Sequence, residues 1–242
     1  MWLESLFPGL YRARFEKLSD LAMSFCRMQE FYDDAMFHGR ILTLTEFIEL
    51  WKQKRGEGNF TYPEYWSGYG LKGKTVCRWL DKLGWYSRLE PREKKLLTAL
   101  EHKHGSRDFS GLYLFGVCEE EGERERITVT NHEIAHFLFF ANKRYRQKVS
   151  NAVRQFPGRT IRRFELTLKR KFYHRKVFYD EMQADIAANG YNGLLNVKSH
   201  KVNRKYYYLY RRIMSIFQFY LRELFRKYPN PELARELDLA RK

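Results

Sequence analysis

His132, Glu133 and His136 have the types and spacing to run a hydrolytic reaction. Four residues apart on a helix, the two imidazoles leave one face about a turn apart and can give ring nitrogens to a single metal ion. Glu133, beside the first, is poorly placed as a ligand but can take a proton from water held by that ion. Zinc suits such donors and lowers the pKa of bound water towards about 7, which makes a hydroxide nucleophile available near neutral pH. A catalytic zinc wants three protein ligands and one open position, so a third donor is required downstream.

Glu181-Met-Gln-Ala-Asp185 offers two carboxylates at the same four-residue helical spacing. One can bind the metal while the other accepts the outer N–H of a ligand histidine and fixes its tautomer. HExxH followed by ExxxD on a later helix resembles the gluzincin branch of the zincin metallopeptidases. The resemblance covers residues 110 to 190 and implies one zinc ion on His132, His136 and Glu181, Glu133 as general base, and Asp185 orienting His132. Asp180 and His174 are the alternative third ligands. Thr130-Asn-His-Glu133 also fits a capping box, which accounts for Glu133 and leaves both histidines unexplained.

Zincin chemistry also needs a donor for the oxyanion of the tetrahedral intermediate. Tyr191 and His200 are candidates, with Arg204 and Tyr179, and no spacing rule selects among them. Cys118, just before the His-bearing helix, reads as a free structural thiol or as an inhibitory fourth ligand. Tyr62, Tyr65, Trp66 and Tyr69 read as buried packing or as the lining of a substrate cleft.

The elements that must position these residues are mostly helical. Residues 10 to 55 carry apolar positions such as Phe15, Leu18, Leu21 and Phe25 at helical spacing, with a second helix from Thr45 to Gly56. An aromatic-rich loop spans 59 to 73, and helices follow at 75 to 83 and at 91 to 102, the latter with Pro91 in its first turn. Residues 111 to 117 and 126 to 130 read as a β-hairpin around the acidic 119 to 125 turn, which the resemblance makes a sheet edge for binding substrate backbone. The His-bearing helix is predicted to start at Thr130 or Asn131, a second helix to run from 162 to 189 and stop at Gly190, and a third to run from 203 to 228. The fold expected is a helix-dominated α+β zincin-like core with a small hairpin or sheet, divided into an N-terminal helical region, 1–105, and a metal-binding catalytic region, 106–242.

The chain has 242 residues, 44% apolar and 17% aromatic, a composition that folds rather than stays disordered. Three widely spaced cysteines make no disulfide framework, and no secretory or membrane-spanning segment is visible, so a soluble cytoplasmic protein is expected. The formal charge of +16 is concentrated: residues 143 to 176 hold thirteen Lys and Arg against one acid, Glu165, and supply +12 of it. That run reads as a solvated face or as a surface for nucleic acid or another polyanion, with Arg162, Arg163, Lys169 and Arg170 as candidate contacts. Phe164, Phe172 and Tyr173 within it, and Phe178 just after it, are expected in the core. Two functions are therefore in play: a zinc metallopeptidase acting on a peptide or protein, and a nucleic-acid-associated regulator or sensor that uses a zincin-like domain as scaffold. A zinc hydrolase for a non-peptide amide is a third.

Overall fold

The computed structural model describes residues 1–56, 58–84, 88–190 and 206–237. Over these the chain is a helix-dominated α+β protein with one four-stranded mixed sheet. It divides into two compact units, Met1–Arg126 and Ile127–Lys242.

The first unit opens with an antiparallel hairpin, β1 (Trp2–Phe7) and β2 (Leu10–Phe15), with Trp2 opposite Arg14. The turn between them is Pro8-Gly9, and Gly9 takes φ +79°, which a side chain would resist. β3 (Gly68–Lys72) pairs antiparallel with β4 (Tyr113–Cys118), and β4 pairs parallel with β2, giving the order β1-β2-β4-β3. Four helices pack around the sheet: α1 (Leu18–Asp33), α2 (Leu44–Lys54), α3 (Gly73–Leu83) and α4 (Pro91–His104). α1 approaches β4 so closely that a Cβ on Gly116 would fall 2.3 Å from Leu21 Cδ1 and 2.9 Å from the Phe25 ring. A glycine in an otherwise bulky strand is explained by that approach.

Local signals placed three of these helices well. Thr43 and Glu46 close a capping box on α2, Pro91 occupies the first turn of α4, and Gly84 and Gly105 take left-handed conformations at the ends of α3 and α4. The segment at 59 to 73 is not all loop, since β3 occupies Gly68–Lys72, and its aromatics are mainly packing: Tyr62 is fully buried, with its ring 4.7 Å from Trp51 and 5.9 Å from Tyr69, while Tyr65 is 36% exposed.

Several expectations fail. The start of the chain is strand, because residues 2 to 15 fold back at Pro8-Gly9 and cover β4; helix begins only at Leu18. Residues 126 to 130 are not a hairpin partner for 113 to 118 but lie inside α5 (Gly122–Ala141). Both edges of β4 are already bonded, to β2 and to β3, so this strand cannot receive a substrate by strand addition. The capping-box reading of Thr130 falls with it, since Thr130 lies well past the first turn of α5.

Among its described residues the second unit is helical. It comprises the remainder of α5, α6 (Lys143–Arg154), α7 (Gly158–Arg170), α8 (Phe178–Asn189), α9 (Tyr207–Lys227) and α10 (Pro231–Glu236). Its core joins Val153 and Phe156, Phe164 and Leu168 of α7, Phe178, Met182 and Ile186 of α8, and Leu209, Tyr210 and Ile213 of α9. The long helix expected over 162 to 189 is two helices, broken between Arg170 and Phe178 where Phe172 takes φ +65°. Gly190 ends α8, also at positive φ. No helix among the described residues is long and apolar enough to cross a membrane.

Candidate metal centre

α5 and α8 bring together the residues separated in sequence. One donor atom from each of His132, His136 and Glu181 lies within 4.8 Å of the others. The two Nε2 atoms are 3.0 Å apart, His136 Nε2 is 3.5 Å from Glu181 Oε1, and His132 Nε2 is 3.7 Å from Glu181 Oε2. Ligand atoms around a tetrahedral zinc with bonds of about 2.0–2.2 Å stand about 3.3 Å apart, so the donor set fits the ion in both chemistry and spacing.

Hydrogen bonds on the far side of His136 hold it in place. Its Nδ1 is 2.7 Å from Asp180 Oδ1, which assigns the proton to Nδ1 and leaves the Nε2 lone pair directed at His132 and Glu181. Gln183 Nε2 donates to the same Asp180 oxygen (3.2 Å) and to Ala135 O (3.3 Å), and the Tyr145 hydroxyl donates to Gln183 Oε1 (2.6 Å). Tyr145 and Gln183 are fully buried. A chain of side chains from α6 through α8 to α5 thereby fixes the ring of His136. Burial, then the Asp180 carboxylate, keeps the Tyr145 hydroxyl well above its usual pKa, so it stays a donor.

The site is rich in buried acid. Glu133, Asp180, Glu181 and Asp185 are all at most 7% exposed, and that much buried negative charge favours a positive charge nearby. Burial works against charge on His136, yet Asp180, Glu181 and Glu133 outweigh it and push its pKa up to about 10. Two imidazole nitrogens 3.0 Å apart with acids around them need a proton or a metal ion between them.

No protein-family model, curated protein or solved structure matches this chain. The chemistry of the site has to be read from its own geometry.

Of the alternative ligands, Asp180 is engaged with His136, and His174 accepts a hydrogen bond from the Lys176 amide at the short turn before α8. Asp185 is buried and accepts from Asn189 Nδ2 at 3.1 Å. Cys118 sits on β4 in the other unit, its Sγ 3.5 Å from Glu16 O, with burial raising its pKa. Tyr191, His200 and Arg204 lie outside the described residues, while Tyr179, next to Asp180, is 43% exposed. The sequence reading missed the role of Asp180 and the support from Gln183 and Tyr145. Asp180 and Gln183 stand three apart on one face of α8, which was the available signal.

Proposed function

We propose that this protein is a zinc-dependent metallopeptidase, with one zinc ion on His132, His136 and Glu181 and Glu133 as general base. The observation that carries the reading is the convergence of those three donors from α5 and α8, backed by the Asp180 carboxylate on the outer nitrogen of a ligand histidine. The unit that bears them has no described strand, so the likeness to gluzincins rests on the donor set and not on a sheet.

Bound there, zinc would supply a positive charge that polarises a peptide carbonyl and lowers the pKa of water towards about 7. Glu133, buried beside the first ligand, accepts the proton of the attacking water and passes it to the leaving amine. Asp180 keeps His136 in the tautomer that presents Nε2, and Gln183 and Tyr145 keep Asp180 from rotating away. Tyr179 is the described candidate for stabilising the oxyanion. The three cysteines are free, in keeping with action inside the cell.

Metal analysis of the purified protein tests this. Wild type is expected to carry one zinc per chain, and His136→Ala and Glu181→Ala to carry little. Stoichiometric zinc in both variants would mean the ligands are wrongly drawn, and iron in the wild type would replace hydrolysis with the oxygen chemistry of two-histidine, one-carboxylate sites. Asp180→Asn should keep the ligands but weaken zinc about 10- to 100-fold in competition with a chromophoric chelator. Unchanged affinity would remove Asp180 from the site.

A further inference from the structure

We propose that α7 and its connection to α8, residues 159–176, bind single-stranded nucleic acid. This does not depend on the metal site.

On α7 the buried positions are Thr160, Phe164 and Leu168, and Arg159, Arg162, Arg163, Lys169 and Arg170 are exposed. The helix rises about 1.5 Å per residue, so these cations form a track of about 16 Å. Arg175 and Lys176 are exposed beyond the break, and Glu165 is the lone acid in the segment.

The order of charges along α7 is not the one that best stabilises the free helix. Cations at the C-terminal end of a helix are favourable, and Lys169 and Arg170 occupy the last turn of α7. Arg159 sits in the opposite, first turn, where the amides already carry positive partial charge, and that turn has no acid. Arg159 and Arg163 are also like charges four apart. Each arrangement costs the free protein stability, and an anionic ligand along the face would reverse both penalties.

The aromatic side chain selects the kind of polyanion. Phe172 is 37% exposed and takes φ +65°, a conformation that is a genuine outlier for a bulky side chain and costs about 1–3 kcal/mol. It follows Lys169, Arg170 and Lys171 and precedes Arg175 and Lys176. Duplex DNA presents phosphates and hides its base faces, whereas an unpaired strand offers both phosphate charge and a ring to stack on. Phe164 and Phe178, by contrast, are buried in the core.

Fluorescence anisotropy with a labelled oligo(dT) of about 20 nucleotides tests the proposal. Binding should weaken with salt at a log–log slope of about −3 to −4, as expected when four to six cations meet a single strand. Reversing Arg162, Arg163, Lys169 and Arg170 to Glu should weaken it at least ~100-fold and flatten the slope. Phe172→Gly relieves the positive φ, so the fold is kept; affinity should fall about 5- to 100-fold, the range of one base–aromatic stack, with the slope unchanged. Affinity within about twofold of wild type in the charge-reversed protein would overturn the proposal. So would a duplex that binds as tightly with no effect of Phe172→Gly, or capture by phosphatidylserine vesicles without binding to oligo(dT).

Discussion

Glu133→Gln is expected to lower peptide hydrolysis by roughly 10²- to 10⁴-fold while zinc stays at one per chain. The amide has nearly the size of the carboxylate, so the helix and the three donors are undisturbed, but it cannot accept a proton at neutral pH. Glu133 is 5% exposed, follows His132 directly on α5, and its charge is among those that raise the His136 pKa. The measurement is turnover of a fluorogenic peptide mixture together with metal content on the same sample. Loss of both activity and zinc would make Glu133 a structural or ligand residue, and activity within tenfold of wild type would sink its role as base. His136→Ala supplies the contrast, since it should lose zinc and turnover together.

Sequence made the cluster of His132, His136 and Glu181 legible because helical spacing is a local property. His132 and His136 must share a face wherever the helix goes, and Glu181 lies on a later helix with the right donor type. The identity of the acid on the outer nitrogen is not local, because it depends on how α8 is rotated against α5. The ExxxD pattern assigns Asp185 to His132, while the carboxylate on the outer nitrogen of His136 is Asp180, one residue before Glu181.

β4 was legible at 111 to 117, but the strands beside it were hidden for a related reason. β2 reads Leu-Tyr-Arg-Ala-Arg-Phe, and its arginines mask a buried strand; Arg12 is only 2% exposed because Glu4, across the hairpin, pairs with it at 2.9 Å. β4 finds its partners in β2 and β3, far away along the chain, where no short-range pattern points. The false hairpin came from Ile127 and Val129, whose β-branched side chains favour strands. A usable counter-signal was present: Gly122 followed by Glu123 and Glu125 puts acids at the favourable end of a helix, and α5 starts there. The left-handed Phe172 that separates α7 from α8 has no sequence signature at all.

The largest stability effect expected lies in the first unit, at Arg27 of α1 and Glu93 of α4. Arg27 Nε donates to Glu93 Oε1 at 2.7 Å and its Nη2 to the other oxygen, with side-chain exposures of 3% and 1%. Its remaining donors reach Leu42 O (2.8 Å) and Arg88 O (3.3 Å), and the guanidinium lies over the Trp79 ring. A buried pair satisfied this fully adds little over a hydrophobic pair, but removing one partner strands the other. Arg27→Met should therefore destabilise the unit by about 3–5 kcal/mol, whereas Arg27→Met with Glu93→Leu should recover most of the loss. Burial already raises the Glu93 pKa with Arg27 beside it, and without Arg27 it rises further above the unfolded value. The folded variant then binds a proton more readily than the unfolded chain, so its deficit should shrink as pH falls towards about 4. All five tryptophans lie within residues 1–126, so urea unfolding followed by tryptophan fluorescence reads this unit alone. A single-variant loss under about 1 kcal/mol, or a double variant no more stable than the single, would show that the pair is not a coupled buried contact.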